Sequence, residues 1–404
     1  MNTGLASRKR FILVLGSLTG LAAFTIDISL PAIPAMVEAL GIELSSGMQI
    51  VGVFMAGLAL GQIPCGLSSD RYGRMPVLYV GMLLFTVSGI VCATSTSIEW
   101  ILIGRFFQGI AAASGIVVSR AIVRDITSGR ETARLMSLMV MIFTLAPMIA
   151  PIIGAWLQTN FGWRMPFVAV VFFGLLVLIG ITTSLTETHR PSHSHTFAKQ
   201  LGRSVRCFLK YRQCMLGLLL VMLPTAGFLS LIPNSSTLVI GVYDYSVRSF
   251  GFIFAGAGFS ILAASSVNRR LLARMGVLQV MGVGIGFLAL ASLQLALIAW
   301  LNSAPFWWLW GSICMFFFSA GFILPNATAM ALEPVPEIAG VASSLMGAAQ
   351  NAASATTAII ASILFANDVR SSVSLMAILG LAAVALFLAR NLFMGDQEIH
   401  GEHM

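Results

Sequence analysis

The chain has 404 residues, of which 58% are hydrophobic and only 9% charged, and its formal net charge is +8. No water-soluble fold covers that much apolar surface with so few polar groups, so a soluble enzyme is excluded and a polytopic membrane protein remains. The basic excess is a topology signal, and no nucleic-acid partner is expected.

Apolar runs of about 20 residues span a bilayer as helices, and twelve occur here: 11–33, 47–67, 76–95, 98–122, 133–157 and 164–185, then 214–235, 249–266, 276–300, 306–330, 339–365 and 371–393. The first run is too long for a signal-peptide core and continues into Pro31 and Pro34, so it is expected to be retained. With the N-terminus inside, 19 of the 23 basic residues fall in cytoplasmic segments, and all seven tryptophans lie near the outer interface. Both distributions are those of an inner-membrane protein with its termini in the cytoplasm.

In the first span, Asp27 precedes Pro31 and is the only carboxylate placed inside a hydrophobic run. Such a group is costly unless it works. A carboxylate whose surroundings alternate between apolar and wet, or between a near and a distant cation, gains and loses a proton, which is what proton coupling requires. An acid that merely structures the turn before Pro31 is the plainer alternative.

Between the second and third spans lies Gly66-Leu-Ser-Ser-Asp70-Arg71-Tyr-Gly73-Arg74, a charged turn in which Gly73 can take φ > 0. Its charges can reach neighbouring helix ends and act as a latch.

Arg105, followed by Gln108, is the only basic residue well inside a span. The first span ends outside and the fourth begins there, which puts Asp27 and Arg105 at similar depth, roughly 10 Å below the outer face. A pair in which Arg105 tunes Asp27 is therefore allowed; Arg105 tying its helix to neighbouring carbonyls is the alternative. The same span ends in Arg120-Ala-Ile-Val-Arg124-Asp125, where Arg120 or Arg124 is expected to meet Asp70 when the pore is open outward, or simply to anchor the cytoplasmic end.

The fifth span carries Ala146-Pro147-Met-Ile-Ala150-Pro151-Ile-Ile-Gly154-Ala155, small residues and prolines at helical spacing that let helices approach and bend. Met136, Met139, Met141 and Met148 supply adaptable apolar wall, as do 27 phenylalanines in the whole chain.

Residues 186–213 are the one long polar break, a cytoplasmic linker between bundles at 1–185 and 214–394, with a tail at 395–404. His193 and His195 within it are read as solvated, and with no C-x-x-C spacing among five cysteines no metal or other cofactor is expected. In the second half, Asn234, Asn326, Gln350 and Asn351 are candidate cavity residues beside Gln108 and Met141, and Gly340 opens the eleventh span. Arg74-Met75-Pro-Val77-Leu78 returns as Arg274-Met275-Gly-Val277-Leu278, the trace expected of a duplicated bundle.

The loop from Gly66 to Arg74, the Arg105 helix and the Pro147–Gly154 run together resemble the major facilitator superfamily. The nearest likeness is to its drug:proton antiporters of the bicyclomycin and chloramphenicol resistance branch. The fifth-span run is similar to the antiporter motif G-P-x-x-G-P-x-x-G-G, with Ala146, Ala150 and Ala155 where that motif has glycine. The resemblance implies an all-α membrane protein of twelve transmembrane helices in two six-helix bundles. It further implies a monomer that exchanges an outgoing small, lipophilic drug or metabolite for protons. Asp27 and Arg105 would carry the coupling. Asp70, Arg71, Gly73, Arg74, Arg120, Arg124 and Gly340 would form the switch, and Pro147, Pro151 and Gly154 would shape the antiporter helix. No ATP-binding loop or catalytic constellation is present, so energy comes from the proton gradient. Uptake of a nucleoside or sugar by symport, and ligand sensing without transport, are the competing readings.

Overall fold

The computed structural model describes residues 3–127, 129–189, 197–364 and 368–392. His193 and His195 lie outside them. All regular structure among the described residues is helical. In chain order the helices are α1 (Thr3–Ser29), α2 (Ile33–Leu40), α3 (Leu44–Tyr72), α4 (Arg74–Thr94), α5 (Ile98–Ile126), α6 (Gly129–Phe161) and α7 (Met165–Ser184), then α8 (Phe197–Lys210), α9 (Arg212–Ser236), α10 (Val247–Leu272), α11 (Val277–Leu301), α12 (Phe306–Leu332), α13 (Ala339–Leu364) and α14 (Val369–Leu388).

Twelve of these have 20 residues or more, and eleven crossings are both long and apolar enough to span a bilayer. The exception, α13, has the length but is diluted by Gln350, Asn351 and a run of Ala, Ser and Thr. Two crossings run longer than their apolar stretches. A 3-10 turn at Leu30–Ala32 joins α1 to α2, extending the first crossing to Leu40. The chain stays helical through both prolines because each sits in the first turn of a new segment, where its missing N–H is not needed. Gly41, at φ +62°, then ends α2, with its N–H bonded to Glu38 O. The seventh crossing runs to Val242 because Thr237–Val242 wind on as a π-helix.

The chain forms two compact units, one of residues 1–193 with 232–258, the other of 194–231 with 259–404. In the first, close helix contact is reciprocal: a Cβ at Gly109 would lie 2.0 Å from Phe54 O, and one at Gly57 would lie 2.1 Å from Phe106 O. Only glycine fits there, and α3 and α5 meet backbone to backbone. Helix α6 meets α1 as tightly through Gly154, whose Cβ would be 2.1 Å from Ile28 O.

Each unit also has one arginine that caps the end of a neighbouring helix. Arg164 Nη2 donates to Ser95 O at the end of α4 (3.0 Å), and Arg370 Nε donates to Ala299 O at the end of α11 (2.9 Å). Both cations sit where a helix C-terminus favours them. The five cysteines are free thiols.

Candidate functional site

Two constellations of charge stand out, both in the first unit. Among the described residues Asp27 is the only Asp or Glu that is buried, with 3% of its surface exposed. It lies in α1 one turn before the 3-10 break, and Pro31 has no N–H to offer its carbonyl, so the backbone beside the carboxylate is loosened.

Arg105 is buried on α5. Its Nη1 donates to Gln108 Oε1 (3.2 Å) and weakly to Thr25 O (3.4 Å), two residues before Asp27. The guanidinium carbon lies 4.7 Å from the centre of the Phe167 ring and 5.9 Å from that of Phe54, within cation–π range of both. Nε and Nη2 have no hydrogen-bond partner among the described residues. The ion pair allowed by depth is not formed: Arg105 is held by α1 backbone, by Gln108 and by aromatic faces, not by Asp27. The glycine contacts between α3 and α5 set Phe54 beside Arg105, and Phe167 of α7 supplies the nearer ring.

The second constellation surrounds the turn at Gly73. Gly73 has φ +100°, and a Cβ there would lie 2.6 Å from Glu187 Oε2. Both the strain and the crowding require glycine. The turn aims the first two N–H groups of α4 at Glu187 beyond α7: Arg74 N donates to Oε1 (2.9 Å) and Met75 N to Oε2 (3.0 Å). A carboxylate on a helix N-terminus is favoured by the free amides and the dipole. Burial pushes the Glu187 carboxyl up, but the backbone amides of Arg74, His189, Met75 and Thr188 outweigh that and hold it below the usual carboxylate range.

The Arg74 side chain is buried and reaches three partners. Its Nε and Nη2 grip Asp125 at 2.8 and 3.3 Å, while Nη1 donates to Ser69 Oγ at 2.9 Å and pairs with Asp70. Thr188 Oγ1 closes the ring by donating to Asp125 Oδ2 (3.1 Å). The partner that Asp70 has in this structure is not an arginine of α5. Asp70 takes its ion pair from Arg74, four residues on, whereas Arg120 and Arg124 are exposed. The turn holds Arg74 between Asp70 and Asp125, so the acid has its cation without help from α5's own arginines. Arg71 lies over the ring of Tyr72. Sequence reasoning passed over Asp125 and Glu187. Each is an isolated acid in a basic segment between apolar runs, and that was the available signal.

Helix α6 presents Pro147 and Pro151 to α10, where a Cβ at Gly258 would be 3.3 Å from Pro147 C and one at Gly251 3.0 Å from Pro151 O. The candidate cavity residues divide between the two units. Gln108 is engaged by Arg105, Met141 is exposed and Asn234 is buried in the first unit. In the second, Asn326 donates to Asn268 Oδ1 (2.8 Å), Gln350 donates to Thr225 Oγ1 (2.9 Å), and Asn351 is half-buried. Gly340 is in the first turn of α13.

Twelve helices of membrane length among the described residues, with charges buried within them, define a multi-pass membrane protein. The family model described as "Major Facilitator Superfamily" matches residues 15–358, and the chain belongs to that superfamily. It is 28% identical over 346 residues to a bicyclomycin resistance protein homolog of Haemophilus influenzae, covering 85% of this chain and 87% of the relative. To multidrug resistance protein D of Escherichia coli it is 28% identical over 385 residues, covering 93% and 94%. Among solved structures, a D-xylose-proton symporter superposes with a TM-score of 0.72 at 18% identity, covering 93% of this chain and 97% of that one; this likeness concerns the fold alone. These similarities agree with the resemblance read from the motifs to drug:proton antiporters of the bicyclomycin branch, and make the chain a transporter and not an enzyme.

Proposed function

We propose that the protein is a proton-coupled efflux antiporter of the bacterial inner membrane, with both termini in the cytoplasm, acting as a monomer on a small lipophilic drug or metabolite. The burial of Asp27 in α1, alone among the acids described, carries this reading. A carboxylate there accepts a proton from the outer side and releases it inward as its surroundings alternate. Arg105, one helix away and short of hydrogen-bond acceptors, favours proton release when Asp27 is exposed to it. The Gly73 turn, with Asp70, Arg71 and Arg74, sets the rate of alternation. The names of the relatives support export, and the apolar character of the helices suits lipophilic cargo.

A resistance screen in a host stripped of its own exporters identifies a solute. In inverted vesicles with an acidified lumen, adding that solute should release protons, and Asp27→Asn should abolish the release while solute binding persists. Unchanged proton-driven accumulation by Asp27→Asn overturns the assignment, and absence of proton release in the wild type favours symport.

A further inference from the structure

Helix α8 is not used by this mechanism. In sequence it falls between the first six crossings and the last six, and it joins α9, which starts a helix long and apolar enough to cross a membrane, through Tyr211 alone. At about 100° per residue, positions 199, 203, 206 and 210 share an arc of about 60°, and all four are Lys or Arg. Positions 197, 201, 205 and 208 share the opposite arc, and they are Phe, Leu, Val and Phe. The apolar side is partly spent inside the second unit, where α8 packs on α13 and Phe208 is buried.

Arg206 and Lys210 are exposed, as are Leu209, Tyr211 and Arg212 next to them. Neither Arg206 nor Lys210 makes an ion pair among the described residues, and the chain has no Asp or Glu between Glu187 and Asp244 to neutralise the helix. A cluster of cations beside exposed Leu and Tyr, one residue from a membrane crossing, matches the headgroup layer of a leaflet in both charge and depth.

We propose that α8 is a binding surface for anionic phospholipid headgroups of the leaflet it adjoins, phosphatidylglycerol being the simplest of that chemistry. The lipid occupies the basic arc while Leu209 and Tyr211 enter the acyl boundary. The inference stands independently of cargo and of coupling ion.

The test uses the full chain purified in dodecyl maltoside, with phosphatidylglycerol or phosphatidylcholine added, reading lipids retained by native mass spectrometry and the thermal unfolding midpoint. Wild type should retain phosphatidylglycerol about tenfold better than phosphatidylcholine and gain stability only from the former, with the preference shrinking as salt is raised. Lys199→Gln/Arg203→Gln/Arg206→Gln/Lys210→Gln should bring the ratio to about one, while Arg203→Lys/Arg206→Lys, which keeps the charge, should preserve it. Arg269→Gln/Arg270→Gln, which removes charge elsewhere, should also leave it intact. Equal retention of the two lipids by wild type, or an undiminished preference in the quadruple variant, overturns the proposal.

Discussion

Arg105 is more exacting than its charge alone requires. It holds Gln108 and Thr25 O from one side of a planar guanidinium and sits against the faces of Phe167 and Phe54. A lysine supplies the charge without the fork or the stacking plane. We therefore expect Arg105→Lys to lower turnover at least tenfold while expression stays normal, and Phe167→Leu to reproduce a smaller part of that loss. Initial rates in proteoliposomes check both; wild-type rates in Arg105→Lys would reduce the residue to a source of charge. Both buried charges were legible in the sequence, because an ion within an apolar run has few explanations. Their relation was not. Equal depth permits a pair, and only the partners that Arg105 takes in the structure show that none forms.

Helices were legible because hydropathy and length are local properties. Their joints depend on which backbone meets which, as at Gly154 beneath Ile28. Gly154→Val forces side-chain atoms into a carbonyl and should lower the unfolding midpoint of purified protein by the equivalent of about 1–3 kcal/mol, the usual cost of overpacking. Gly256→Ala, where a Cβ would meet nothing within 4 Å, should change it little. Equal shifts in the two variants would mean that small residues in α6 serve no close contact.

The cap on α4 lends itself to a titration. Glu187 has its carboxyl held below the ordinary value, so its contribution is complete above the unfolded carboxylate pKa, about 4.3, and is lost as pH falls through the lower folded value. Glu187→Gln should consequently be less stable than wild type at pH 6, with the difference closing below pH of about 4. Melting curves at stepped pH decide it; a difference that persists into acid would assign the loss to packing.

At the scale of the molecule, the duplication explains what the sequence could and could not reveal. The repeat at Arg74 and Arg274 was visible, and the matching pair Arg164 and Arg370 emerges only when their carbonyl partners are known. In the second unit Arg274, the repeat's counterpart of Arg74, is exposed, whereas Arg74 is buried in its charged joint. The charged joint should behave as a unit. Arg74 is buried between two acids, so removing either leaves it one anion, whereas removing both strands a cation, at a cost of about 3–5 kcal/mol. Asp70 is the more exposed acid, and Asp70→Asn alone should cost under about 1 kcal/mol while slowing turnover. Asp70→Asn/Asp125→Asn should then destabilise by more than the two singles combined, and adding Arg74→Met should restore part of the loss, because no uncompensated charge remains. Unfolding midpoints of wild type, the two single variants, the double and the triple, with expression and transport rates alongside, test this directly. Additive singles and a triple variant no better than the double would show that the three residues act separately, and the Gly73 turn would lose its standing as a switch.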